Sequence, residues 1–516
     1  MTANPEPDIS DSTPDEALSA DQVGYKQSLG RRQVQMIALG GAIGTGLFLG
    51  SAAKMSSTGP ALVVSYLVTG AIAYLLMRAL GELVLHRATS GGFVSYMREF
   101  FGEKWAFVTG WMYWLSWALT GVAELSAVGL YVQYWVPGMP AWATVLIALA
   151  VVLAVNLLSA AAFGEFEFWA SLLKVAAIVV FLVVGVVVVI ARVHIEGHQA
   201  GVHNLWSNPG GFWPTTGGFT WYGPLLVMSS VVFAYASIEL VGIAAGEMQD
   251  AKREVPKAVN AVIFRIAVFY CGSILLLCCI LPTSSYKPGT SPFVTVFGAM
   301  GIGWMGDLIQ AILIVAALSS LNSGLYATGR VLRSMGVSKE APAFTTKMSR
   351  SGVPFAGILM TSAMFVLGAW LNAVDANAFT LALEATSICI VFTWTTIFVC
   401  QLKLRHLVKK KIVEPSSFQM PGSPYTSIVG LAFLAFVIVG LAISGWQSSP
   451  SFGDKTDFIM VVIGIPVLAI LLALGWFAVR RGVSEHMGGN LQSVWSTAGP
   501  DRATIPGQTA PETTGD

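Results

Sequence analysis

The chain has 516 residues, of which 55% are hydrophobic and 11% charged, with a mean hydropathy of +0.69 and a net charge of +1. Soluble domains carry about 25% charged residues and nucleic-acid binders carry a basic excess, so the composition excludes both classes. The five cysteines (Cys271, Cys278, Cys279, Cys389 and Cys400) fall in apolar runs, with neither metal-site spacing nor a secreted disulfide framework, and no metal or cofactor is expected.

In chain order, residues 1–30 form a tail, acidic from Glu6 to Asp21, that lacks the basic and apolar regions of a signal peptide. Crossing a bilayer takes about 20 apolar residues, and twelve stretches qualify: 34–53, 60–85, 105–134, 141–159, 166–191, 221–246, 257–281, 306–333, 355–373, 379–401, 426–445 and 458–479. Residues 31–192 hold the first five and residues 221–403 the next five, separated by a loop at 193–220 expected on the outer surface. An odd number of spans per set makes the second set enter from the opposite face, which is an inverted-topology repeat. Residues 404–481 add a basic loop and two further spans, and residues 482–516 form a Gly/Ser/Thr/Pro-rich tail; both tails are expected to be disordered. The expected fold is therefore all-α integral membrane, with twelve transmembrane helices in a five-plus-five inverted repeat and two C-terminal helices.

Basic loop residues set the orientation. Lys26, Arg31, Arg32, Arg87, Arg98, Lys252, Arg253, Lys339, Lys347 and Lys409 to Lys411 gather on one side, against Lys54, Arg192, Lys287 and Lys455 on the other. Both termini are expected to be cytoplasmic.

The first span contains Gly40-Gly41-Ala42-Ile43-Gly44-Thr45-Gly46, and the sixth contains Phe233-Ala234-Tyr235-Ala236-Ser237-Ile238-Glu239. Unwound backbone at membrane depth survives only where it lines a cavity or is buried in protein. Paired breaks in corresponding positions of two halves mark the binding site of a secondary transporter. Glycine leaves the helix without a Cβ penalty, and the N–H groups of Gly44, Thr45 and Gly46 then form an anion site suited to a carboxylate. The carbonyls of Ile43, Phe233, Ala234 and Ala236 suit an ammonium group, so a zwitterionic amino acid satisfies both. Gly40-x-x-x-Gly44 and Gly46-x-x-x-Gly50 equally fit close helix packing.

Buried charge supplies the remaining candidates. Lys174 lies roughly 12 Å into the fifth span at the helical rise, too deep for easy snorkelling. A lysine at a helix centre costs about 2.5–3.5 kcal/mol on insertion scales. It is a candidate to load and release a proton, or to stand as a fixed cation. Glu124 in the third span and Glu239 after the second break are functional candidates on the same ground, as cavity lining or as braces. Glu384 in the tenth span is a third such carboxylate. Arg78, Glu82, Glu247 and Arg330 lie near cytoplasmic helix ends and read as gate or snorkelling charges; Arg265 is deeper and without an assigned partner. Ser319, Ser320 and Asn322 in the eighth span form a polar run that should face the bundle interior, either as part of a site or as inter-helix hydrogen bonds.

These residues also carry a family resemblance. The segments Arg32 to Gly46, Arg78 to Leu83, Gly164 to Trp169, Ala236 to Glu247 and Ser319 to Tyr326 together resemble the bacterial amino acid permeases of the amino acid–polyamine–organocation superfamily over nearly all of residues 25–485. Gly110 to Trp114, Lys347 to Arg350 and Val353 to Ile358 look most like the L-asparagine permeases; carriers of D-alanine, D-serine and glycine are similar. The resemblance implies the five-plus-five fold, proton symport and an inner-membrane location. It also implies an amino acid held at the broken first and sixth helices, and proton coupling at Lys174. Two departures bear on side-chain preference: Glu124 stands where the asparagine carriers have Asp, and Glu384 where they have Asn.

The expected function is alternating-access import of a small neutral amino acid, L-asparagine, with a proton. D-serine, D-alanine or glycine transport and amino acid exchange are the alternatives. The expected partners are the amino acid, the proton and the lipid bilayer, with no nucleic acid; nothing in the sequence fixes the oligomeric state. A membrane enzyme is disfavoured, because the chain shows no paired His/Glu zinc motif and no nucleophile-and-base arrangement.

Overall fold

The structure, a computed structural model, describes residues 24–25, 29–40, 43–208, 211–216, 219–301, 303–374, 378–447 and 456–486. In lipid every backbone polar group must be satisfied within its own segment, and the apolar runs accordingly fold as helices. The first half holds α1 (Arg31–Gly40), α2 (Thr45–Phe48), α3 (Gly50–Thr58), α4 (Leu62–His86), α5 (Phe93–Phe101), α6 (Glu103–Gln133), α7 (Ala141–Leu158) and α8 (Ala160–Ile190). A two-residue hairpin follows, β1 (His194–Ile195) against β2 (His198–Gln199), with His194 opposite Gln199.

The second half holds α9 (Gly223–Leu226), α10 (Met228–Ala234), α11 (Leu240–Ala244), α12 (Ala251–Phe264), α13 (Ser273–Ile280), α14 (Pro292–Ala299) and α15 (Gly303–Val337). It continues with α16 (Phe355–Val374), α17 (Ala378–Lys409), α18 (Tyr425–Gln447), α19 (Thr456–Ile459) and α20 (Ile465–His486). Among the described residues, eight helical segments are long and apolar enough to cross a membrane, and three shorter apolar helices accompany them. The protein is all-α, and the segments suit repeated membrane crossing.

The bundle is ordered by polarity in the sense opposite to a soluble protein. Along α8, Leu172, Leu173, Val179, Val180 and Val183 point outward, while Glu167, Ser171 and Lys174 are buried. The polar face turns in because lipid offers it no partners. α6 runs through the middle, packed by α15, α16 and α17, and α1 and α15 both pack on α8. Two local features differ from the sequence expectation. The stretch between the second and third spans is itself helical, as α5, and buries Tyr96, Arg98 and Glu99. Lys54, counted above as an outer-loop cation, is buried within α3. Between α12 and α13, residues Arg265–Gly272 adopt the wider π-helical winding, which inserts an extra residue per turn and is frequent at functional positions.

Candidate functional site

The first break separates α1 from α2. Gly44 is extended (φ −137°, ψ −160°), and its carbonyl accepts from the N–H groups of Leu47 and Phe48 at 3.2 and 3.3 Å. That starts α2 abruptly and leaves the N–H groups of its first turn outside the helical ladder. Thr45 Oγ1 donates to Glu124 Oε1 of α6 at 3.1 Å. The Thr45 backbone N–H and the Ser320 hydroxyl of α15 also lie within bonding reach of that carboxylate. Glu124 therefore stands at the N-terminal end of α2, where the helix dipole favours negative charge. Its Oε2 is buried and has no hydrogen-bond partner among the described residues.

The second break spans Tyr235 to Glu239, between α10 and α11. Ser237 holds φ at +73°, a left-handed conformation uncommon for a residue with a Cβ. The Phe233 carbonyl accepts from the Ala236 N–H at 3.1 Å, so one of its lone pairs is already used within the turn. Glu239 is buried, Trp394 of α17 stands beside its carboxylate, and its Oε2 has no partner among the described residues. Tyr113 of α6 faces the same carboxylate.

The two breaks touch. A Cβ added at Gly46 would lie 2.7 Å from Ala234 Cα and 3.1 Å from the Phe233 ring. Ile43 and Thr45 are buried against this junction, while Gly44, Phe233 and Ala236 keep partial exposure. The structure thus brings together Ile43, Gly44, Thr45, Gly46, Glu124, Phe233, Ala234 and Ser320. Tyr66 of α4 braces the junction, with its hydroxyl 3.5 Å from the Gly46 carbonyl and its own carbonyl accepting from Tyr235 Oη at 2.8 Å.

A second polar cluster lies alongside. Lys174 Nζ donates to Ser319 Oγ at 2.9 Å, and Ser319 Oγ donates to Glu167 Oε2 at 2.7 Å. Asn322 Nδ2 donates to Glu167 Oε1 at 2.8 Å. Ser319 and Ser320 are consecutive on α15, so one residue reaches Lys174 and the next reaches Glu124. Glu124 and Arg265 are further charges facing Lys174. Arg265, which had no assigned partner in the sequence, is buried at the start of the π-helical segment and faces Tyr235 and Tyr270. Tyr235 and Tyr270 stack at 4.6 Å.

Glu167 received no role from the sequence, although it lies in the Gly164 to Trp169 motif. The available signal was its position seven residues before Lys174, two turns along the same helix face. The side chain of Glu384 lies outside the described residues.

At the end of α11 a separate network closes the bundle. Glu247 pairs with Arg330, accepts from Tyr326 Oη at 3.0 Å, and the Arg330 guanidinium stacks on Tyr326 at 3.3 Å. Tyr25 lies under Arg330 and Arg333, and the Leu29 N–H donates to the Glu247 carbonyl at 3.2 Å, forming a parallel bridge to Met248. Glu82 pairs with Arg405 at 2.8 Å, and Arg78 stacks on Phe418 at 3.7 Å.

Two interrupted helical segments that meet at buried carboxylates, inside a bundle of apolar helices, are the arrangement expected of a carrier for a polar solute. The comparisons with known proteins agree. The amino acid permease family model matches residues 33–487. The chain is 47% identical to an L-asparagine permease of Escherichia coli over 91% of each chain. It is 46% identical to one of Streptomyces coelicolor, over 91% of this chain and 94% of that one. It is 48% identical to L-asparagine permease 2 of Mycobacterium bovis over the same shares. The chain belongs to the amino acid permease family and is a multi-pass membrane transporter, not an enzyme.

Proposed function

We propose that this protein imports L-asparagine across the inner membrane by proton symport and alternating access. In this reading twelve spans form the five-plus-five inverted repeat with two C-terminal helices, and both termini are cytoplasmic. Gly44, Thr45 and Gly46 bind the amino acid carboxylate through N–H groups at the start of α2, the Thr45 N–H exchanging Glu124 for the substrate. The carbonyls of Ile43, Phe233, Ala234 and Ala236 face the ammonium. Glu124, Ser237 and Glu239 set side-chain preference, Ser320 and Asn322 support the cavity wall, and Lys174 couples the proton.

The observation that carries the reading is the contact between the two breaks, with a buried carboxylate at each. Glu124 Oε2 and Glu239 Oε2 are acceptors without a partner among the described residues. A buried acceptor left unmade costs about 1–3 kcal/mol, and an ammonium or a carboxamide N–H supplies the missing donor. An acidic side chain would instead add a further carboxylate to the same space. The names of the relatives support asparagine as the carboxamide substrate.

Radiolabelled L-asparagine uptake into proteoliposomes, with and without an inward proton gradient, tests this. Gradient-driven accumulation competed by unlabelled L-asparagine and not by D-serine is the expected outcome. Uptake only into vesicles preloaded with amino acid would replace symport with exchange. Flux of D-serine or glycine without asparagine flux would replace the substrate.

A further inference from the structure

We infer that Glu167 is the acceptor end of a proton relay that begins at Lys174 and passes through the Ser319 hydroxyl. The inference rests on the reading of Lys174 as the proton-coupling group. All three side chains are buried, at 0% exposure. The two hydrogen bonds run in one direction: Lys174 Nζ donates to Ser319 Oγ at 2.9 Å, and Ser319 Oγ donates to Glu167 Oε2 at 2.7 Å. A hydroxyl accepts and donates at once, so it passes a proton without leaving its place.

The step balances within the chain. An N–H bond of the Lys174 ammonium breaks as its proton joins Ser319 Oγ, the original Ser319 O–H bond breaks, and that proton joins Glu167 Oε2. An ammonium and a carboxylate become a neutral amine and a neutral acid, with the serine restored. No other reactant is needed. Glu167 lies two turns, about 10 Å, nearer the Ala160 end of α8 than Lys174 does. In the orientation proposed above that end is cytoplasmic, so Glu167 is rooted on the inward side of Lys174.

The surroundings fix the geometry. Asn322 Nδ2 donates to Glu167 Oε1 at 2.8 Å, leaving Oε2 to Ser319. Asn156 of α7 donates to the Asn322 backbone carbonyl at 3.0 Å and to Oδ1 of the same residue, which aims the Asn322 amide N–H at the carboxylate. The charged groups facing Lys174 are Glu167 on its own helix, Glu124 on α6 and Arg265 on the π-helical segment; the charged group facing Glu167 is Lys174. Lys174 is thus a cation facing Glu167, and the Ser319 hydroxyl is bonded to both.

The test compares wild type with Glu167→Gln, Glu167→Asp, Ser319→Ala and Ser319→Thr in proteoliposomes. Gradient-driven L-asparagine accumulation, with its pH profile, is set against counterflow at equal pH, which needs no net proton movement. Glu167→Gln and Ser319→Ala are expected to lower accumulation at least tenfold relative to counterflow and to flatten the pH profile. Ser319→Thr and Glu167→Asp, which keep the hydroxyl and the carboxylate, are expected to recover most of the ratio. A wild-type ratio and pH profile in Glu167→Gln would overturn the relay. So would equal loss of accumulation and counterflow in both Glu167→Gln and Ser319→Ala, which marks a structural brace. Wild-type accumulation indifferent to the proton gradient would overturn the symport reading and the relay together, whereas a gradient-dependent wild type with an unaltered Glu167→Gln overturns the relay alone.

Discussion

At Gly46 any added Cβ meets Ala234 Cα at 2.7 Å, a backbone atom held inside the second break. Backbone does not swing aside as a long side chain does, so a larger residue must push the two breaks apart. Gly46→Leu is expected to cut uptake at least tenfold while the protein still reaches the membrane at normal levels, read by uptake beside a quantitative membrane blot. Normal uptake would remove the junction from the substrate path. The glycine was conspicuous in the sequence, yet two roles for it, binding and packing, stood level there. The structure shows that Gly46 does pack, and that what it packs against is the other break. Glu167 was harder to read. Its carboxylate gains meaning from Ser319, a residue far along the chain, and spacing within one helix carries no information about which neighbour faces it.

The element between α4 and α6 was invisible to a hydropathy reading because α5 is short and carries charge. Its Glu99 accepts from His86 at 2.8 Å and from Arg87 at 3.0 Å, side chains at the end of α4 and just beyond it, and so ties α5 to that end. Burial alone would push the Glu99 carboxyl up; the Arg87 guanidinium and the His86 hydrogen bond outweigh it and hold the group at about 2. A depressed folded-state value means stability that is fully present above the unfolded value, about 4.3, and is lost as pH falls toward 2. The linkage is on the order of 3 kcal/mol. In detergent, Glu99→Gln is expected to melt well below wild type at pH 7, and the gap should close progressively between pH 4.5 and pH 2.5. A gap constant with pH would show that Glu99 acts by shape and not by charge. The π-helical turn at Arg265 was likewise unreadable, since a hydropathy pattern does not distinguish one helical winding from another.

For the whole molecule, the hydropathy pattern was the legible part, because a bilayer imposes length and polarity on every crossing segment. Among the described residues, eight helical segments suit a membrane crossing and three shorter apolar helices accompany them, with helices continuing beyond the predicted run at Ala160 and Lys409. What the pattern does not carry is the arrangement inside, since buried polar residues look alike in sequence whichever helix they face. Orientation has a direct check. Four of the native cysteines are buried and Cys271 is half-buried, so single cysteines introduced at exposed sites can be labelled against a quiet background. Glu196→Cys, in the β1–β2 hairpin, is expected to react with a membrane-impermeant maleimide in intact cells. Lys410→Cys is expected to react only after the membrane is opened; the reverse pattern would turn the whole topology over.

The bridge from Leu29 to Met248 bears on how the protein is made. Leu29 leaves the ribosome long before Met248 has been synthesised, so the first half must enter the bilayer with this strand edge open. Only when Glu247 arrives can the Leu29 N–H find its carbonyl, and only when Arg330 and Arg333 follow can Tyr25 settle beneath them. Closure of that seam therefore waits for the second half of the molecule. A nascent chain arrested before residue 247 should leave the segment open to protease or antibody, and its protection in the finished chain is a readout of completed assembly.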